Sequence, residues 1–240
     1  MLTERQVTDI RSAVYYEQGY YVFKNFIGKS DIEPTCQLWT SNVGYQYHDF
    51  VRNTEVRPGS PNYAYRRPSE SDFAYCNHIW NPALDQKLHH WAFDIQQLRN
   101  SIEGHPNYYG LHESTGAALQ YRVCRSVSSG QIVHKHADFF SEYRSDPTGD
   151  HRFDPRRCQA TLFLSDYGKD YTDGGFKLWR DNNAEPILFG KNVECSAGDL
   201  VIWRYSIPHE VSGLKCINAD KGFLRVIFPL FDMPEGEPSQ

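Results

Sequence analysis

Two histidines and an aspartate have the types and the spacing that a metal site requires. His136 and Asp138 stand one residue apart at the end of an apolar run that begins at Gln131, and strand alternation points both side chains to the same face. His209 follows a second strand-like run, 199–204, and can supply a third ligand. Two imidazoles and one carboxylate on one face of an octahedron leave three positions open, which suits ferrous iron. We therefore expect these three residues to form a catalytic metal centre.

The pair His136 and Asp138 is weak evidence alone, because the chain has 10 histidines and such a pair can arise by chance. The residues around it strengthen the interpretation. The run 198–203 leads into Pro208 and His209, and a further strand-like run carrying Arg225 follows.

The elements that must position these residues change character along the chain. Capping patterns at Thr3 and Ser30 predict helices to about residues 18 and 42, and Asn81-Pro82 predicts the start of a third helix that ends at Gly104. The apolar residues of this third helix recur every three or four positions. Between the last two helices, residues 44–80 show no clear period and predict a long surface excursion with little regular structure.

From about residue 117 the pattern is one of short β-like runs separated by turns. The predicted strands are 117–125, 131–137, 158–165, 175–180, 186–189, 199–204, 208–212 and 222–231. Helices followed by strands indicate an α+β fold, in which N-terminal helices buttress a double-stranded β-helix, or jelly roll. We expect a single domain over 1–240, with a helical part at about 1–116 and a β-helix core at about 117–231.

Three spaced segments resemble the iron(II)/2-oxoglutarate-dependent dioxygenases, especially their prolyl-hydroxylase-like branch. They are 130–138 with the His-x-Asp pair, 157–165, and 173–179 with Asp-Gly-Gly; Gly198-Asp199 and 221–228 complete the set. The resemblance covers about residues 117–231, roughly half of the chain. It implies Fe(II) as cofactor and 2-oxoglutarate and O2 as cosubstrates. Oxidative decarboxylation would then release succinate and CO2 while an unactivated carbon is hydroxylated.

The resemblance also implies residues that bind the cosubstrate. Arg225 matches the basic residue that holds the distal carboxylate of 2-oxoglutarate, and a guanidinium can bind a carboxylate through two parallel hydrogen bonds. Its distance from His209 exceeds the usual interval, which requires an inserted loop at 214–221; without that loop Arg204 or Arg122 would be the anchor. Thr161 and Ser126 stand near the positions of an assisting hydroxyl. Because the family's halogenating members lack the carboxylate ligand, Asp138 favours hydroxylation or a related desaturation or cyclisation.

A small molecule is the expected substrate, with a free amino acid or a natural-product intermediate as examples. Aromatic and basic side chains in the long excursion and just after Asp138 would form a lid suited to a small carboxylate, although they are equally consistent with an ordinary solvated loop. Trp179 and Trp203 should face the barrel interior. The candidate substrate residues are Tyr65, Arg66, Arg67, His134, Phe140, Tyr143 and Trp179.

Three other functions remain open from the sequence. The same family includes hydroxylases of peptide and protein residues. His134, His136, Glu142 and His209 approach the pattern of a cupin metal site, with loosely fitting spacing. A non-catalytic β-helix that binds a ligand or a protein is the third alternative, since fold does not establish activity.

Composition narrows the partners and the location. The formal charge is −5 without a basic cluster, so nucleic acid is not expected. The sequence has no long apolar run and no signal-peptide pattern at its start, so we expect a cytoplasmic protein with no membrane segment. The six cysteines are scattered and predict free, mostly buried thiols.

Overall fold

The computed structural model describes residues 2–40, 61–66, 72–138, 157–181 and 184–232. Its helices are α1 (Glu4–Arg11), which continues as a π-helical turn over Ser12–Glu17, α2 (Lys29–Thr40) and α3 (Gln86–Glu103). The strands in the first part are β1 (Tyr20–Phe23), β2 (Tyr63–Arg66), β3 (Phe73–His78), β4 (Ala117–Ser126) and β5 (Val133–His136). Those in the second part are β6 (Cys158–Phe163), β7 (Tyr171–Thr172), β8 (Gly175–Leu178), β9 (Ile187–Leu188), β10 (Leu200–Arg204), β11 (His209–Ser212), β12 (Lys215–Cys216), β13 (Phe223–Ile227) and β14 (Leu230–Asp232).

The strands form a large and a small antiparallel sheet. The large sheet has the order β1-β10-β6-β13-β4-β3-β2, with β14 paired to β4, and the small sheet has the order β5-β11-β8-β9. A short pair, β12 with β7, stands apart from both. This is the jelly-roll core of a double-stranded β-helix with helices alongside, as the order of elements predicted.

Two apolar clusters cover the two faces of the large sheet. One includes Leu162, Val226 and Leu88 and joins that sheet to the helices. The other includes Phe163, Trp203 and Phe176 and lies between the large and small sheets. Because side chains alternate along a strand, β6, β10 and β13 of the large sheet each contribute to both clusters.

The helices follow the sequence closely, with two errors in position. One is small: α2 begins at Lys29, so Ser30 lies inside the helix and is not its cap. Thr3 and Gln6 form the predicted capping box, and Gly104 ends α3 with φ of +83°. The third helix begins at Gln86 rather than at Asn81-Pro82, because the Asp85 carboxylate accepts the backbone N–H of Leu88 and so caps the helix there. Its predicted stripe is confirmed: Leu88, Ile95 and Ile102 are fully buried, while Leu84, Trp91 and Leu98 are partly buried against the same core.

The prediction of little regular structure over 44–80 is wrong for the described part of that range. β2 and β3 pair there, and β3 pairs with β4 in turn. All six residues of β3 are buried. A strand that is buried on both faces lacks the polar and apolar alternation by which strands are recognised in a sequence, so its period carried no signal.

The structure also corrects the last predicted strand and explains why two glycines follow Asp173. The predicted last strand, 222–231, is broken into β13 and β14 around Phe228 and Pro229, where proline has no N–H for the ladder. The pair Gly174-Gly175 has a steric reason, since a Cβ on Gly174 would lie 1.8 Å from the carbonyl oxygen of Gly213. That residues 1–240 form a single domain stays a prediction.

The cysteines agree with the expectation of free, mostly buried thiols. The six cysteines are free, five of them buried and Cys216 partly so. Among the residues that the structure describes, no helix is both long and apolar enough to cross a membrane.

His78, at the end of β3, predicts a pH-dependent stability. Its ring is fully buried and stacks on Trp80 with centroids 5.4 Å apart, and neither ring nitrogen has a hydrogen-bond partner among the residues that the structure describes. Burial, with a smaller contribution from the positive charge of Arg122, lowers the pKa of His78 to about 4. In the unfolded chain the pKa of this histidine is near the usual ~6.5, so the unfolded state takes up the proton at a higher pH than the folded state does. The free energy of unfolding therefore falls by about 2 kcal/mol between pH 7 and pH 5.

His78→Phe keeps the stack and removes the titration. We expect this variant to be more stable than the wild type by about 2 kcal/mol at pH 5, with a much smaller difference attributable to titration at pH 7. Urea unfolding followed by circular dichroism at both pH values measures this. Parallel pH profiles for the two proteins would contradict the assignment.

Candidate metal centre and cavity

Pairing of β11 with β5 brings the predicted metal ligands together. His136 is the last residue of β5, His209 is the first residue of β11, and the two are directly opposite in the antiparallel register. Asp138 lies two residues beyond β5. Distant parts of the sequence therefore meet at one end of the small sheet, where strand pairing fixes their spacing.

The three side chains form a compact cluster. One ligand atom from each residue lies within 4.8 Å of the others. Nε2 of His136 is 3.5 Å from Oδ1 of Asp138, and Nε2 of His209 is 3.6 Å from Oδ2 of the same carboxylate. Imidazole and carboxylate donors at such separations fit the facial set of two histidines and one carboxylate that ferrous iron prefers.

Backbone carbonyls orient both imidazoles. Nδ1 of His136 donates to the carbonyl oxygen of His134 at 2.6 Å, and Nδ1 of His209 donates to that of Ile207 at 3.0 Å. A nitrogen that donates to a carbonyl carries the proton, so the lone pair of each ring is on Nε2, toward the cluster. Burial lowers the pKa of His209, despite the opposing effect of the Asp138 charge, and so favours the neutral form that binds metals.

A cavity of about 340 Å³ opens beside this cluster, between the two sheets. Its walls combine apolar side chains with a few polar ones, as small-molecule sites usually do. The described residues that line it are Arg122, Val133, His136, Asp138, Gln159, Thr161, Phe176, Trp203, Tyr205, His209, Val211, Arg225, Ile227, Pro229, Leu230 and Phe231.

Arg225 lies in the wall of the cavity, as the predicted cosubstrate anchor should. It is 3% exposed, and its Nη1 donates to Oγ of Ser126 at 3.2 Å. The guanidinium carbon lies 4.5 Å from the ring centroid of Phe223. The inserted loop at 214–221 exists and contains β12. Arg204, one of the two substitutes, is outside the set of lining residues and donates instead to the carbonyl oxygen of Tyr15.

Thr161 also lines the cavity. Ser126 is not among the described lining residues, but its hydroxyl accepts a hydrogen bond from Arg225, which is one of them. The Thr161 hydroxyl accepts the indole N–H of Trp203 at 3.2 Å, and the Trp203 ring lies 4.4 Å from that of His209. Thr161 therefore fixes a wall of the metal centre. A direct contact with the cosubstrate stays a prediction.

Thr161→Val tests the two roles against each other. Loss of the buried acceptor leaves the Trp203 N–H without a partner, and we expect a loss of about 1–3 kcal/mol of stability. The concentration of 2-oxoglutarate at half-maximal rate should rise only if the hydroxyl also contacts the cosubstrate. Urea unfolding and steady-state kinetics on the same preparation separate these effects, and unchanged stability would contradict the structural role.

The structure describes only some of the candidate substrate residues. Three of them lie outside the described residues, namely Arg67, Phe140 and Tyr143, and so does Glu142, which the cupin alternative requires. The side chains of Tyr65 and Arg66 are also outside the description, although their backbones belong to β2. The side chain of His134 is exposed, and neither His134 nor Trp179 is among the described residues lining the cavity.

Trp179 was expected to face the interior together with Trp203, and the two differ. Trp203 lines the cavity, while the buried Trp179 ring has the Nζ of Lys135 4.4 Å from its centroid. Trp179 thus packs at the edge of the small sheet. Its predicted part in substrate binding has no support from the cavity.

Sequence reasoning missed several lining residues. Gln159 and Thr161 are alternate residues of β6 and therefore share a face, so the assignment of Thr161 to the cavity could have identified Gln159 as well. Tyr205, whose hydroxyl accepts from Nε2 of Gln159 at 3.2 Å, comes just after β10. Phe231 lies beyond the break in the last predicted strand, and no sequence pattern marked it.

Comparisons with known proteins agree with this fold and site. A family model described as the 2OG-Fe(II) oxygenase superfamily matches residues 119–222. No curated protein sequence matches significantly. A prolyl-4-hydroxylase from Pseudomonas putida is similar in structure, with a TM-score of 0.57 at 14% identity over 95% of this chain and 100% of that one.

Two other solved structures extend the comparison. A prolyl hydroxylase from Trichoplax adhaerens, in complex with a fragment of the oxygen degradation domain of hypoxia inducible factor, has a TM-score of 0.52 at 17% identity over 96% of this chain and 90% of that one. The dioxygenase for auxin oxidation 1 from Arabidopsis thaliana, with 2-oxoglutarate bound, has a TM-score of 0.52 at 12% identity over 100% and 92%. At these identities the likeness establishes the fold.

Fold and site thus define a jelly-roll protein with a potential non-haem metal centre. The family model adds the class that this part of the chain resembles: residues 119–222, which contain His136, Asp138 and His209, match the 2OG-Fe(II) oxygenase superfamily, whose members are enzymes that use Fe(II) and 2-oxoglutarate.

Proposed function

We propose that His136, Asp138 and His209 hold the ferrous ion, that Arg225 binds the distal carboxylate of 2-oxoglutarate, and that the enzyme hydroxylates an unactivated carbon of a small molecule. The observation that carries the proposal is the convergence of the three ligands at a cavity whose wall also contains Arg225. When bound, the iron supplies the oxidation of the C–H bond. One oxygen atom of O2 enters the substrate as a hydroxyl and the other enters succinate, while CO2 leaves.

The chain's own residues have defined tasks in this proposal. The two imidazoles are held by the carbonyls of His134 and Ile207, so their Nε2 atoms face the metal without rearrangement. Arg225 lies against Phe223 and Ser126, where a buried guanidinium can orient as well as hold a carboxylate. Trp203, Phe176 and Val211 make the wall near the metal apolar and so exclude water.

The size of the cavity supports a small molecule as substrate. At about 340 Å³ it falls at the small end of typical ligand pockets, and part of it must hold 2-oxoglutarate. A peptide or protein residue is the alternative within the same family. Asp138 supports hydroxylation, because a carboxylate occupies the position that a halide would need.

Anaerobic titration of the full-length protein with Fe(II) and then 2-oxoglutarate tests the proposal. We expect one Fe(II) per chain and a weak visible charge-transfer band after 2-oxoglutarate is added. On admission of O2, a substrate from a panel of amino acids and small acids should increase succinate release and gain one oxygen atom in mass. A protein that binds neither Fe(II) nor 2-oxoglutarate would contradict the proposal and favour a binding module.

A further inference from the structure

Two arginines on neighbouring strands line the cavity. Arg225 is on β13 and Arg122 is on β4, and in the antiparallel register Cys124 is opposite Arg225 while Arg122 is opposite Ile227. Arg122 and Cys124 are alternate residues, so both arginines project from the same face of the large sheet, toward the cavity.

The contacts of the two guanidinium groups lie in opposite directions along β4. The Arg225 group contacts Ser126, near the end of the strand, and the ring of Phe223. The Arg122 group instead donates from Nε to Oε1 of Gln120, and its carbon lies 5.5 Å from the ring centroid of Phe231.

These contacts separate two positions for an anion. Gln120 and Ser126 are six residues apart on one strand, a distance of about 20 Å between their backbones. The two guanidinium groups are therefore directed away from each other along the strand. A single carboxylate held against Ser126 by Arg225 would not also be bound at the Gln120 end.

The charges of the described lining residues give a second reason. Asp138 is the only carboxylate among them, and Arg122 and Arg225 are the only permanent cations. A ferrous ion, Asp138, Arg225 and the two carboxylates of 2-oxoglutarate together are neutral. Arg122 brings a second permanent cation to the described lining, and a cation in the wall of a cavity favours an anionic ligand.

The surroundings of Arg122 indicate the rest of the ligand. Pro229, Leu230 and Phe231 form an apolar wall beside it, and across the cavity Gln159 and Tyr205 offer an amide and a hydroxyl. Arg122 is half-buried, so its guanidinium borders the cavity while part of it stays accessible.

We propose that Arg122 is a specificity residue that binds the carboxylate of the primary substrate, at the end of the cavity remote from the 2-oxoglutarate anchor, with the substrate's apolar body against Leu230 and Phe231. This rests on the proposed function and narrows its substrate class to small carboxylic acids. Arg122 then positions the acid while a carbon of its apolar body faces the metal.

Binding of matched acids and amides to the anaerobic complex of the full-length protein with Fe(II) and saturating 2-oxoglutarate tests this. The probes are propionate, butyrate and 3-phenylpropionate, each against its primary amide. Binding is followed by intrinsic tryptophan fluorescence, to which Trp203 in the cavity wall contributes. We expect at least one acid to bind about tenfold or more tightly than its amide, as a charge-assisted hydrogen bond provides. The visible band, followed in the same cuvette, shows that 2-oxoglutarate stays bound.

Three variants identify the residue responsible. Arg122→Gln should abolish the preference for the acid without changing 2-oxoglutarate affinity, and Arg122→Lys should keep part of it. Arg125→Gln is the matched control: this arginine is on the same strand but on the opposite face of the sheet, where Nη2 donates to the carbonyl oxygen of Ala219.

The outcomes are separable. The subsite is overturned if the wild type prefers no acid over its amide, or if the preference survives in Arg122→Gln. It is also overturned if Arg122→Gln loses 2-oxoglutarate binding. If Arg122→Gln fails to fold, Arg122→Lys and the wild-type comparison decide. A wild type without the visible band refutes the proposed function itself, whereas a band without any acid preference refutes only the role of Arg122.

Discussion

Replacing His209 by alanine is expected to lower succinate formation by about three orders of magnitude and to abolish stoichiometric iron binding. His209 provides one of the three proposed protein ligands, and the two that would remain, His136 and Asp138, come from a single segment with one residue between them. Metal chemistry of this type depends on a fixed coordination geometry. Iron retained after anaerobic desalting and succinate measured by chromatography report the two effects.

His90→Ala is the matched control for His209→Ala. His90 is exposed on α3, with Nδ1 near the carbonyl oxygen of Gln86, outside the cavity. It should bind one Fe(II) and turn over as the wild type does. If His209→Ala also bound one Fe(II) with unchanged affinity, the assignment of the ligands would be wrong.

Arg225→Leu is expected to raise the concentration of 2-oxoglutarate at half-maximal rate by about 100-fold. The variant leaves the distal carboxylate in a buried wall without its cation, and such a loss costs about 2–5 kcal/mol. Iron binding without 2-oxoglutarate should be unchanged, because the guanidinium is held against Phe223 and Ser126, not against the metal ligands. Kinetics at varied 2-oxoglutarate together with an iron titration measure both quantities.

Arg225→Lys and Arg204→Gln complete this series. Lysine retains the charge without the bidentate geometry and should fall between wild type and Arg225→Leu. Arg204, which donates to the carbonyl of Tyr15, should be replaceable with little effect on 2-oxoglutarate. A larger effect of Arg204→Gln than of Arg225→Leu would move the anchor to the alternative that the sequence left open.

The sequence predicted the convergence of His136, Asp138 and His209 because the relevant information is local to short strands; their role as metal ligands stays a prediction. Alternation fixes the common face of His136 and Asp138, and the strand-like runs before His136 and His209 place both at strand ends. Pairing of those strands needed the fold, and the resemblance to a known family supplied it. Arg225 was reached in the same way, although an inserted loop obscured its spacing.

The sequence was less informative about the sheet edge and the substrate side. β3 is buried on both faces and shows no alternation, so a strand in the large sheet was read as irregular chain. Arg122 was considered only as a substitute anchor for 2-oxoglutarate. Its placement against Gln120 and Phe231, away from Ser126, follows from side-chain direction and a strand break that no local pattern encodes.

Anomalous diffraction at the iron edge, from crystals grown and loaded with Fe(II) under anaerobic conditions, tests the central claim most directly. We expect one iron peak per chain, bonded to Nε2 of His136, Nε2 of His209 and a carboxylate oxygen of Asp138. A peak elsewhere, or none in crystals of protein that turns over 2-oxoglutarate, would contradict it.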